Sequence, residues 1–100
     1  MPDITSIETP AFVIDERIAL KNIRAAQAHC DAAGLKLRVH IKTHKLVHFA
    51  KAQIAAGAVG INCQKIGEPE VMAEGGLDDI LITYNILGAK KLARMKALSG

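Results

Sequence analysis

The residues best suited to chemistry fall in one short run, RVHIKTHKLVH, at positions 38–48. It carries Arg38, His40, Lys42, His44, Lys45 and His48. A lysine withdrawn from water has a lowered pKa, and its neutral amine can then attack a carbonyl carbon. Lys42 and Lys45 are the two amines on offer, and the bland alternative for either is a solvated loop lysine. His40, His44 and His48 recur at intervals of four, the spacing of a metal-binding stripe on a helix. That stripe requires all three to share one helix.

The elements that must position these groups decide between the options. KLRVHIK (36–42) alternates strictly, which predicts a strand with Leu37, Val39 and Ile41 on one side and Arg38, His40 and Lys42 on the other. His40 then lies on a strand, so the three histidines cannot form a helical stripe, although His44 and His48 alone could share a helical face. Lys42 falls at the C-terminal end of the strand, with His40 two residues back on the same side. Lys45 follows at the start of the next helix and is expected to be better solvated.

The rest of the chain repeats the pattern. AFVID (11–15) predicts a first strand. Residues 16–33 predict a helix, with Ile18, Ile23, Ala26 and Cys30 near one face, Asp15 as its cap and Gly34 at its end. Residues 44–56 predict a second helix, stopped by Gly57. VGINC (59–63) predicts a strand that sets Val59, Ile61 and Cys63 against Gly60, Asn62 and Gln64. EPEVMAEGG (68–76) opens with Pro69, tolerated in a first helical turn. DILITY (79–84) predicts a fourth strand, and residues 89–100 a last helix with Leu92, Met95 and Leu98 down one side.

This βαβαβαβα order forces parallel pairing through right-handed crossovers. A doubly wound sheet is covered on both faces, and its strands should be apolar on both. Here one face is apolar and the other turns polar towards the strand tips, where barrel enzymes keep their active sites. The expected fold is therefore α/β: four βα units with parallel strands, half of a TIM-type (β/α)8 barrel. Lys42 would project into a partly enclosed mouth, the setting for a Schiff base with a substrate or with pyridoxal phosphate. Gln64, at the tip of the third expected strand, and Asn85, just past the fourth, are candidate polar neighbours of a cofactor, as is His40. Cys63 falls on the helix-facing side and reads as packing. The glycines of GAVGINCQKIG flank a strand and lack the spacing of a phosphate-binding loop.

Composition narrows the classes. Half of the 100 residues are hydrophobic, 23% are charged and the formal net charge is +3, which excludes a disordered tail. The lysines are scattered and aromatic platforms are lacking, so no nucleic-acid partner is expected. No window approaches the roughly 20 apolar residues of a membrane span, and nothing resembles a secretory leader. Two cysteines, Cys30 and Cys63, read as free thiols of a reducing compartment, so a cytoplasmic location is expected.

Three stretches carry a resemblance. TPAFVID, RVHIKTHK and AGAVGINCQKIGEPEVMAEGGLDDILI, in that order, resemble the amino-terminal half of the D-threonine aldolase and D-serine dehydratase group. These are pyridoxal-phosphate enzymes of the alanine-racemase fold type. The family pattern reads approximately Arg-Pro-His-x-Lys-Thr-His-Lys, and Val39 stands here where proline is usual. The likeness runs from Thr9 to about Met95. It implies that Lys42 holds pyridoxal phosphate as a Schiff base and that the substrate is a small D-β-hydroxy-amino acid. It also implies that the parent is a lyase, cleaving a Cα–Cβ bond or eliminating water. The divalent metal of the family's D-threonine aldolases would bind carboxy-terminal ligands, not residues of this chain. A whole barrel takes about 250 residues. Residues 1–100 are therefore expected to be a partial cofactor-binding barrel domain, inactive alone and prone to homo-oligomerise through its open strand edges. The alternatives are a non-enzymatic pyridoxal-phosphate carrier of cofactor homeostasis and an inert truncated fragment.

Overall fold

The computed structural model describes residues 3–99. A 3-10 turn (Ile4–Ser6) leads through an irregular segment to α1 (Glu16–Ala32). There follow β1 (Arg38–His40), α2 (Val47–Ala56), β2 (Gly60–Cys63), α3 (Gly67–Glu74), β3 (Ile80–Ile82) and α4 (Ala89–Ser99). The strands form one parallel sheet in the order β1-β2-β3. Val39 pairs with Ile61 and His40 with Asn62, while Ile61 pairs with Ile80 and Asn62 with Leu81.

The first expected strand is absent. Residues 11–15 have no β partner, and Phe12, Val13 and Ile14 lie exposed. An apolar run becomes a strand only when its backbone groups pair with a sheet edge, and this segment does not pair with the open edge of β1. The sheet therefore has three strands, not four. The other elements stand where the pattern places them, with shifted ends. Asp15 caps α1 by accepting from the N–H groups of Arg17 and Ile18, and Gly34 follows its end at φ +70°. The last predicted helical residue, Gly100, lies outside the described residues.

Alternation along the strands sorts the two faces. Ile41, Ile61 and Cys63 are fully buried, packed with Ala50 of α2, Met72 of α3 and Leu77, and flanked by Val39, Val47, Ile54 and Ile80. Val59, expected on this face, precedes β2 and is 41% exposed. Helices α1 to α4 pack successively against one another over this one face. On α1 the buried residue is Gln27, not the expected Ile18 or Ala26, which are exposed. Its side chain lies against Gly57 and donates to Asp31 Oδ1 at 2.9 Å. The opposite face of the sheet, with Arg38, His40, Asn62 and Leu81, has no helix on it. The result is a slab of 45 × 42 × 20 Å, the thickness of one sheet and one helix layer.

Arg38 crosses this open face. Its guanidinium donates to the Ile61 carbonyl at 3.2 Å and to Asp79 Oδ1 at 2.7 Å, so it reaches from β1 over β2 to the start of β3. Gly60 makes room for it. A Cβ at Gly60 would lie 2.7 Å from the Asp79 carbonyl oxygen and closer still to Arg38 Nη1. Here glycine is required by the close approach of another chain segment.

Candidate active site

The KTHK motif is not the start of α2. Residues 41–45 form a single turn closed by the Lys45 N–H donating to the Ile41 carbonyl at 2.8 Å. Lys45 sits in the left-handed region at φ 57°, and α2 begins only at Val47. The apolar periodicity of 44–56 extends the helix signal backwards through this turn, which is why the expected boundary falls three residues early. The turn separates the two lysines. Lys42 follows β1 directly and is exposed, and its amine has no hydrogen-bond or ion-pair partner among the described residues. Lys45 reaches the other way and donates to Glu68 Oε2 at 3.0 Å. The expected desolvation of Lys42 is not met, because nothing covers the polar face of the sheet here.

His40 is tied at both ring nitrogens. The Lys42 N–H donates to its Nδ1 at 3.2 Å, which leaves the ring proton on Nε2, facing Thr83 Oγ1 at 3.3 Å. The Thr83 hydroxyl donates in turn to the Cys63 carbonyl at 3.2 Å. A chain of bonds thus runs from the backbone of Lys42 through His40 to the tip of β3 and fixes the imidazole beside the lysine. Beside His40 in the sheet register, Asn62 has its Oδ1 buried without a partner.

The remaining candidates separate into a second group. Gln64 is half-buried and Asn85 exposed, and both line an open cleft of about 490 Å³ with Lys65, Tyr84 and Lys91. Lys42 and His40 do not line it. His44 faces Gln53 Oε1 at 3.2 Å and His48 faces Glu16 Oε1 at 2.6 Å, while both rings meet Phe49 edge-on. His44 lies in the turn and His48 on α2, so they share no helical face. Among the described residues no three of His, Cys, Asp or Glu stand together as metal ligands would.

Sequence reasoning passed over Glu68. This carboxylate is 7% exposed. Burial pushes its pKa up, but the Gln64 N–H at 2.9 Å and the Lys45 ammonium outweigh that and hold it below the usual carboxylate range. Its position just before Pro69 marks a helix start and gives no sign of burial. Thr83 was also passed over, although alternation from Leu81 places it on the polar face. Cys63 is fully buried, and burial, with the nearby Glu68 charge, pushes its thiol up to about 11. It is packing, as expected, and not a nucleophile.

The parallel sheet with its single helix layer also has counterparts among solved structures. The chain superposes on D-threonine aldolase from Filomicrobium marinum with a TM-score of 0.90 at 34% identity, covering 95% of this chain and 26% of that one. The chain is similar to part of the enzymes of the D-threonine aldolase and D-serine dehydratase group. It is 38% identical over 96 residues to a D-threonine aldolase of an Arthrobacter species, covering 96% of this chain and 25% of that protein. It is 44% identical over 83 residues to the D-threo-3-hydroxyaspartate dehydratase of Delftia sp. strain HT23, covering 83% of this chain and 22% of that protein. No family model matches the chain. The chain spans about a quarter of the length of the relatives it matches.

Proposed function

We propose that this chain is part of a pyridoxal-phosphate-dependent lyase acting on small D-β-hydroxy-amino acids, with Lys42 as the covalent anchor of the cofactor. The observation that carries the reading is the Lys42 amine: without a partner among the described residues, it stands beside a fixed imidazole on the polar face of the sheet. The residues present fit such a group. An unpaired amine can take up an aldehyde, the unpartnered Asn62 Oδ1 offers a buried acceptor, and Gln64 and Asn85 stand at the tips of β2 and β3. When bound, the cofactor would supply a sink for the electrons released at the substrate's Cα.

The chain's own residues have distinct tasks in this reading. Lys42 holds the cofactor. His40, with its proton on Nε2, orients the Lys42 backbone and walls one side of the site. Gln64 and Asn85 bind polar groups above the strand tips. A divalent metal, as in an aldolase, would draw its ligands from elsewhere in the full-length protein. The one-sided helix layer supports placing these strands in a TIM-type barrel whose remaining strands cover the polar face. Without that cover, the 100-residue chain alone is expected to bind pyridoxal phosphate weakly and to be inactive.

Product analysis of the full-length protein tests the reaction class. With D-threonine, an aldolase releases glycine and acetaldehyde. With D-serine or a D-3-hydroxyaspartate, a dehydratase releases ammonia and an oxo acid. Turnover of none of these, or of the L-enantiomers alone, would contradict the proposal.

A further inference from the structure

The KTHK turn presents two amines three residues apart, and a carbonyl ligand bonds to whichever is unprotonated and reachable. The structure treats the two differently. Lys45 Nζ lies 3.0 Å from Glu68 Oε2, and the Glu68 side chain is only 6% exposed. The other carboxylate oxygen accepts from the Gln64 N–H at 2.9 Å. One buried acid therefore ties the turn after β1 to the turn after β2, two places from which the site is built. Lys45 also pays a conformational cost, a left-handed backbone at φ 57°, which non-glycine residues rarely adopt unless the surroundings impose it.

Resting on the reading of Lys42 as the cofactor lysine, we propose that Glu68 is a positioning residue that sequesters the Lys45 ammonium and leaves Lys42 the reactive amine of the motif. The bond to the buried carboxylate occupies the Lys45 amine and must break before that nitrogen can meet an aldehyde. The same contact turns the Lys45 stem away from the face that carries His40. Glu68 touches neither ligand nor reacting atoms; it acts through Lys45 and through the Gln64 backbone. Lys65 stands near the same pair and its carbonyl accepts from the Glu68 N–H at 3.0 Å, but its amine forms no ion pair with the Glu68 carboxylate among the described residues.

The test is site-resolved lysine labelling of the purified chain. Pyridoxal phosphate followed by borohydride leaves a stable secondary amine on each lysine that the aldehyde has reached, and peptide mass spectrometry reads the rate at every site. Exposed Lys36 serves as the internal reference. In the wild type, Lys45 should label well below Lys36. In Glu68→Gln, which keeps the shape and removes the charge, Lys45 labelling should rise about tenfold, the scale of a charge-assisted hydrogen bond, with Lys42 and Lys36 unchanged. Glu68→Asp should restore part of the protection. Lys45 labelling as fast as Lys36 in the wild type would overturn the proposal whether or not the variants fold, and so would protection that persists in Glu68→Gln. The cofactor assignment is read separately, from the absorbance of lysine-bound pyridoxal phosphate in Lys42→Ala and Lys45→Ala, so its failure is distinguishable from a failure of the role of Glu68.

Discussion

At the scale of the residue, the site is a matter of which groups have partners. Lys42 has none among the described residues, while Lys45, His40, His44 and His48 are each engaged. The sequence shows the types and the strand, and alternation places His40 and Lys42 correctly on or beside the polar edge. It does not show Glu68, because burial of a single acid depends on the distant lysine that meets it. The two cysteines give a direct check. Burial and the Glu68 charge hold the Cys63 thiol at about 11, whereas Cys30 is only half-buried. Alkylation near pH 8 followed by mass spectrometry should modify Cys30 and spare Cys63. The sign for stability follows. The folded state keeps the Cys63 proton after the unfolded chain has lost it, so this group's contribution is complete below the ordinary thiol range of about 8.5 and falls as pH rises towards 11. Modification of Cys63 at the rate of Cys30 in the folded chain would contradict the packing role.

At the scale of the element, periodicity reads β1, β2, β3 and all four helices, and it fails in two places for physical reasons. The segment at 11–15 has a strand's composition but does not pair with the open edge of β1. The helical spacing read from residue 44 runs into the turn at 41–45, where Lys45 takes a left-handed conformation, and α2 begins only at Val47. Contacts between elements were likewise hidden: nothing local shows that Gly60 must admit the Arg38 side chain on its way to Asp79. Gly60→Ala should therefore force Arg38 off its carbonyls and spread β2 from β3. Overpacking of this kind costs about 1–3 kcal/mol, and in a domain of this size each kcal/mol lowers Tm by roughly 4–8 °C. Thermal unfolding checks it. Gly57→Ala is a poor control because φ there is +126°; Gly67→Ala, with open space around its Cβ, should leave Tm nearly unchanged. A Gly60→Ala protein as stable as the wild type would show that the Arg38 bridge is dispensable.

At the scale of the whole molecule, the slab is open. Its Cα radius of gyration is 15.8 Å, against about 13 Å for a compact 100-residue domain. Its accessible surface is 7464 Å², against roughly 5,500 Å² for a compact protein of this mass. Phe12, Val13, Leu81 and Leu87 are more than half exposed, and β1 and β3 each present an unpaired edge. About 400 Å² of apolar surface left wet forfeits about 10 kcal/mol, as much as many domains have in total. The isolated chain is expected to self-associate, with a symmetric pairing of open faces the simplest form. Sedimentation at micromolar concentration should show oligomers, and a stable monomer with one cooperative unfolding transition would contradict this. The same openness explains why Lys42 is exposed here.

The claim on which the functional account turns is that Lys42, not Lys45, holds the cofactor, and the visible absorbance of the full-length protein with each lysine removed tests it most directly. Lys42→Ala should abolish the absorbance band of lysine-bound pyridoxal phosphate together with turnover, while Lys45→Ala should retain both. Loss of the band in Lys45→Ala, with its survival in Lys42→Ala, would contradict the account.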